Sequence, residues 1–164
     1  MLLCLTFLIY TVTAQIWGSS STGVISIVKI DSAQPDYEGY QLLDMDDDQY
    51  VTEEDLYLRL ELINEQVANA SSNFTYLQTT YGMVFTLTSL STNTAIKNSV
   101  NSVEYQSLLP QTRSELEQLA EQINGLQNQI GDLDFTDPEI VSIKQYFDSV
   151  DENIYYGLWY TGRG

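Results

Sequence analysis

The chain has 164 residues, with 23 acidic side chains against 6 basic ones and a net charge of −17. So acidic a surface favours cations and basic proteins as partners and argues against nucleic acid and anionic membranes. The sequence has no histidine, and it contains neither a phosphate-binding glycine loop nor a Gly-x-Ser-x-Gly elbow. We therefore predict that the protein is not an enzyme.

Residues 1–14 have the features of a secretory signal peptide. An apolar run over residues 2–12 is followed by small residues that allow cleavage before Gln15. The run is shorter than the roughly 20 residues that span a bilayer, although an uncleaved anchor or a buried strand is the alternative. Because the single cysteine, Cys4, lies in this segment, we predict a secreted, extracellular protein without disulfides.

Residues 15–35 are predicted to be a linker that contains one short strand. The first part is rich in glycine and serine, whereas Val24 to Ile30 is apolar and β-branched, which is typical of a strand. An isolated strand is not stable in water. This one must therefore pair with another part of the chain or with another subunit.

The acidic loop, residues 44–55, is the most informative stretch of the chain. Seven of its twelve side chains are acidic, and aspartates alternate at its start. Apolar residues flank the loop on both sides, at Tyr40, Leu43, Leu56 and Leu60. With these flanks, residues 36–63 resemble an EF-hand, and the loop is also similar to one repeat of a dockerin.

This resemblance implies a Ca²⁺ site, with Mg²⁺ as the other candidate ion, held by oxygen ligands. The implied ligands are Asp44, Asp46, Asp48, Tyr50, Thr52 and Asp55. Gln49 stands where the family prefers glycine, at a position that needs a left-handed backbone. Asp55 replaces the usual glutamate, so weaker binding or more Mg²⁺ character is expected. The alternative is a solvated acidic turn without metal, in which Thr52 and Asp55 cap the following helix.

Residues 53–109 are predicted to form a long helical segment. Apolar residues from Leu56 to Val84 alternate in steps of four and three, which is typical of a coiled coil or a long bundle helix. A strand at residues 84–90 is an alternative, a turn is expected near residues 89–94, and a weaker helix should end before Pro110. Two sequons mark Asn69 and Asn73 as candidate glycosylation sites, so the protein is expected to be a glycoprotein.

Residues 110–156 are predicted to contain a second pair of helical segments. The first has apolar residues in steps of three and four from Leu116 to Leu133. The second should run from Pro138 to about Tyr155, with Asp137 as its N-cap. The aromatic residues that follow are expected either to pack against the bundle or to contact a partner, and residues 157–164 are predicted to be a flexible tail.

These patterns predict a mainly α fold. An EF-hand-like loop leads into long heptad-patterned helices, arranged as a helical hairpin or bundle or as a coiled coil, with a short N-terminal β-strand. The predicted function is a secreted calcium-binding module with an extracellular structural or interaction role, in a homo-oligomer or with another extracellular protein. The alternative is an oligomeric extracellular structural or adhesive coiled-coil protein with no functional metal site.

Overall fold

The computed structural model describes residues 28–162. In chain order these residues form β1 (Val28–Lys29), α1 (Tyr37–Leu43), β2 (Tyr50–Val51), α2 (Glu53–Tyr81), α3 (Asn93–Ser99), α4 (Glu104–Gly131) and α5 (Pro138–Tyr160). The predicted mainly α fold is confirmed. The predicted signal peptide and the linker up to residue 27 lie outside the described residues. No helix within residues 28–162 combines the length and apolar composition needed to cross a bilayer.

The three long helices form a bundle in which the chain folds back on itself. Helices α2 and α5 are antiparallel, because Arg59 bonds Asn153 near the end of α5, whereas Tyr76, later in α2, bonds Asp137 at the start of α5. Helices α4 and α5 are also antiparallel, so α2 and α4 run in the same direction. The fully buried residues of the α2 pattern are Leu56, Leu60, Ile63, Ala70 and Leu77. The heptad pattern of α2 is therefore used inside this chain.

Helix α2 ends at Tyr81, so the predicted helical segment 53–109 is divided. Gly82 adopts a left-handed conformation with φ of 68°. The N–H groups of Gly82 and Met83 donate to carbonyls in the last turn of α2, which is how a glycine closes a helix C-terminus. Val84, which the heptad spacing places in the core, is 84% exposed. The three-four spacing of apolar residues thus extends past Gly82, the residue at which the helix ends.

The segment after Gly82 is extended and returns along α2. Phe85 packs edge-on against Phe74, with ring centroids 4.1 Å apart, and the backbone N–H and C=O of Leu90 bond to the side-chain amide of Asn64. Nine extended residues cover about 26 Å, which matches the rise of α2 from Asn64 to its end at 1.5 Å per residue. The alternation that suggested a strand reflects this extended backbone, which bonds to side chains of α2 and α4.

Helix α4 contains Pro110 in its second turn, where the sequence predicted the end of a helix. Proline leaves the carbonyl four residues earlier without its helical partner, at a cost of about 3 kcal/mol or more. Buried side chains anchor the helix on both sides of this point, with Tyr105 4% exposed and Thr112 fully buried. We attribute the continuation of the helix to this packing.

Helix α5 begins as the sequence predicts, because the Asp137 carboxylate accepts a hydrogen bond from the N–H of Glu139 and proline occupies the first turn. It continues to Tyr160, and both Gly157 and Thr161 are buried. Residues 157–161 are thus helix and a buried turn where the sequence predicted a flexible tail.

The aromatic end of α5 forms a second, smaller core with the first part of the described chain. Ile30, Leu43 and Val51 are its buried residues, and Tyr40, Tyr156, Trp159 and Tyr160 are among the side chains that pack around them. This small core attaches the acidic loop to the end of the bundle.

Candidate metal centre

The acidic loop connects α1 to α2 and is shaped by two left-handed residues. Asp47 has φ of 58° and Gln49 has φ of 71°. The carboxylate of Asp44 accepts hydrogen bonds from the N–H groups of Asp48, at 3.3 Å, and Gln49, at 2.9 Å. Asp48 in turn accepts from the N–H of Tyr50 at 2.9 Å. Aspartate side chains therefore turn the backbone around the start of the loop.

Three of the predicted ligands come together in this turn. One carboxylate oxygen from each of Asp44, Asp46 and Asp48 lies within 4.8 Å of the others. Loss of water around Asp46, a hydrogen bond with Asp44 and the charges of Asp55 and Asp48 raise the pKa of Asp46 to about 6. The arrangement is compatible with a calcium loop. Ca²⁺ binds carboxylate oxygens at metal–oxygen distances of about 2.3–2.6 Å, and it would offset the repulsion between these carboxylates.

Asp55 lies outside that cluster and closes the loop. It is fully buried, and its two oxygens accept hydrogen bonds from the N–H of Met45, at 2.9 Å, and of Thr52, at 2.7 Å. Burial raises its pKa, although both backbone donors act in the opposite direction. The capping role expected of Asp55 in a metal-free turn is thus present in the structure.

The other two predicted ligands lie at the far end of the loop. Tyr50 is in strand β2 and its side chain is 38% exposed, while Thr52 occupies the N-cap position of α2. The structure thus clusters the carboxylates of Asp44, Asp46 and Asp48. It places Tyr50 in β2, Thr52 at the N-cap of α2 and Asp55 in the first turn of α2.

Strand β1 pairs with the loop itself. The pairing is antiparallel, with Val28 opposite Val51 and Lys29 opposite Tyr50, and the N–H of Ile30 donates to the carbonyl of Gln49 at 2.8 Å. The partner that the sequence required for this strand is therefore in the same chain, next to the left-handed residue of the loop. Residues 24–27 of the predicted strand lie outside the described part.

Two side chains from the bundle hold the residues just before the loop, and the sequence analysis missed both. Tyr160 donates its hydroxyl to the carbonyl of Leu43. Arg59 is 5% exposed, donates to the carbonyl of Leu42 and to Asn153, and lies 5.2 Å above the ring of Tyr156. A signal for Arg59 was available, since it is the single base among residues 31–65.

The two predicted glycosylation sites lie on one helix, about one turn apart. Asn69 is exposed on α2 and Asn73 is half-buried. The sequon hydroxyls of Ser71 and Thr75 donate to backbone carbonyls of the same helix, at 3.3 Å and 3.0 Å. Glycosylation at these sites stays a prediction.

The candidate metal site is identified from the residues of this chain alone. No family model, curated protein or solved structure matches this chain.

Proposed function

We propose that the acidic loop is an EF-hand-like Ca²⁺ site in a secreted helical protein with an extracellular structural or interaction role. The observation that carries the proposal is the left-handed Gln49 next to three clustered carboxylates. An EF-hand loop needs a left-handed residue at this sixth position and carboxylates at the first, third and fifth positions. Helix capping alone accounts for Asp55 and for neither of these features.

The loop would bind the ion weakly, and binding would stabilise the fold. Its twelfth position is an aspartate already bonded to two backbone N–H groups, and extracellular sites of this kind have dissociation constants of about 10⁻⁴–10⁻³ M. At 10 mM Ca²⁺, such affinities stabilise the folded state by about 1–3 kcal/mol. This range of dissociation constants sets the Ca²⁺ concentrations used in the test.

Isothermal titration calorimetry of the full chain with Ca²⁺ tests the site, using two variants that lose the same charge. Asp46→Asn removes a member of the cluster. Asp47→Asn is the matched control, because Asp47 is exposed, lies outside the cluster and bonds to the side chain of Gln49. Asparagine also tolerates the left-handed backbone at this position. We expect Asp46→Asn to weaken binding about ten-fold or more, and Asp47→Asn to retain most of it.

Two results would end this proposal. One is that the unmodified chain shows neither heat of binding nor thermal stabilisation at Ca²⁺ concentrations up to about 10 mM. This is ten-fold above about 1 mM, the weakest dissociation constant typical of such sites. The other is an equal loss of affinity in Asp46→Asn and Asp47→Asn, which would mean that the loop attracts cations only through its total charge.

Secretion and assembly are further parts of the proposal. Secretion is supported by the sequence of residues 1–14, whereas the heptad spacing no longer supports the homo-oligomer that it predicted. Because the buried heptad residues of α2 pack within the chain, an oligomer would have to use another surface. Sedimentation with and without Ca²⁺ tests it. A monomer under both conditions would remove the oligomeric coiled-coil alternative.

A further inference from the structure

A cavity of about 100 Å³ lies beside the acidic loop, between the start of α2, α4 and the end of α5. Its wall includes Glu53 and three aromatic residues, Tyr105, Trp159 and Tyr160. None of the implied Ca²⁺ ligands supplies a carboxylate to it. The cavity is therefore separate from the carboxylate cluster, although Thr52 belongs to its wall.

Glu53 is the unusual member of this wall. It is 4% exposed. One carboxylate oxygen accepts a hydrogen bond from the N–H of Asn101 at 2.8 Å, whereas the other is buried without any hydrogen-bond partner among the described residues. A buried carboxylate oxygen without a donor is costly, so it calls for a donor from outside the described chain.

We propose that this cavity binds a small primary alkylammonium group, with Glu53 as its acceptor and the aromatic rings as its walls. A carboxylate paired with aromatic faces is the chemistry that recognises ammonium ions. The net charge of −17 raises the local concentration of cations and disfavours anions. The group comes either from a free amine or from the lysine side chain of a peptide.

The volume limits the size of the ligand. An apolar cavity of about 150 Å³ admits benzene, which has six heavy atoms. By that scale, 100 Å³ admits about four heavy atoms. n-Propylammonium has this size, as does the end of a lysine side chain. One water molecule occupies only a small part of such a space.

The test measures binding of n-propylammonium to the full chain by calorimetry in saturating Ca²⁺, with n-propanol, propionate and tetramethylammonium as comparison ligands. Propylammonium should bind best, because propanol carries no charge, propionate is repelled, and tetramethylammonium has no N–H donor. Acetyl-lysine-amide, tested in parallel, distinguishes the lysine side chain from a free amine as the source.

Two variants with the same change of charge locate the site. Glu53→Gln removes the acceptor, and Glu54→Gln is the matched control, because Glu54 is the next residue of α2 and is exposed. Removing one charge-assisted hydrogen bond should weaken propylammonium binding about ten-fold or more in Glu53→Gln and leave Glu54→Gln unchanged. Asp46→Asn should also leave it unchanged, which separates this cavity from the Ca²⁺ loop.

Several results would overturn the inference. They are an absence of propylammonium binding at tens of millimolar, equal binding in Glu53→Gln and Glu54→Gln, and loss of binding in Asp46→Asn alone. If Glu53→Gln does not fold, the ligand series on the unmodified chain still decides, since equal binding of propanol and propylammonium would show that no charge is recognised. In the same series, an absence of binding by every ligand would mean that only water fills the cavity.

Discussion

Replacing Gln49 by glycine should stabilise the Ca²⁺-free protein. Gln49 has φ of 71°, and a left-handed backbone costs a non-glycine residue about 1–2 kcal/mol. Glycine removes this cost, but it also makes the unfolded chain more flexible, which lowers the free energy of unfolding by about 0.5–1 kcal/mol. The side chain itself contributes one exposed hydrogen bond of 3.2 Å to Asp47. The net gain should lie between about 0 and 1.5 kcal/mol, which corresponds to a rise of up to about 0.75 M in the urea midpoint at an m-value near 2 kcal/mol/M.

The matched control is Gln118→Gly, which removes the same side chain from an exposed position of α4. There the backbone is helical, so glycine should destabilise the protein by about 0.5–1 kcal/mol. Urea unfolding in Ca²⁺-free buffer compares the two variants. Since glycine also adopts the left-handed backbone that Gln49 has, the Ca²⁺ affinity of Gln49→Gly should stay within about three-fold of the original. A loss of stability like that of Gln118→Gly would refute the assignment of backbone strain to Gln49.

Three further predictions follow from the pKa shifts and the packing. In Ca²⁺-free buffer, Asp46, with its pKa raised from 3.8 to about 6, stabilises the fold at low pH and loses that contribution as the pH rises through 6. The urea midpoint should therefore fall from pH 5 to pH 7, and less so in Asp46→Asn. Tyrosine hydroxyls hold the pKa of Asp137 below 3.8. The stability that the Asp137 carboxylate contributes is therefore lost as the pH falls below 3.8. Asp137→Asn should make the loss of stability at acid pH less steep. Gly125→Ala should gain about 1 kcal/mol in urea unfolding from helix propensity, whereas Gly157→Ala should gain less, because a Cβ there would lie 3.3 Å from both terminal methyl groups of Leu116.

The sequence predicted the bundle helices well because periodic burial is a local property of a helix. The residues at the predicted three-four positions of the two helices are all 1% exposed or less: Leu116, Leu119, Ile123, Leu126 and Ile130 in α4, and Ile140, Ile143, Phe147, Val150 and Ile154 in α5. The same periodicity gave the wrong result after Tyr81, since spacing alone does not recognise a glycine that ends a helix. The proline itself led to a predicted boundary at Pro110, where tertiary packing holds the helix together.

The candidate site was predicted only where its residues are neighbours in the sequence. The alternating spacing of Asp44, Asp46 and Asp48 was sufficient to expect a cluster of carboxylates. The pairing of β1 with the loop and the bonds from Arg59 and Tyr160 depend on residues far away in the chain. Contacts of this kind follow from the tertiary fold, and no local pattern encodes them.

The position of the acidic loop indicates how a bound ion would affect the rest of the protein. The two carbonyls just before the loop accept hydrogen bonds from Arg59 of α2 and Tyr160 of α5. Asp55, which closes the loop, lies in the first turn of α2. An ion that fixes Asp44 relative to the start of α2 would therefore also fix α1 relative to the end of α5. Because these contacts join the loop to both ends of the folded chain, Ca²⁺ should raise the stability of the whole bundle in one transition, and not that of the loop alone.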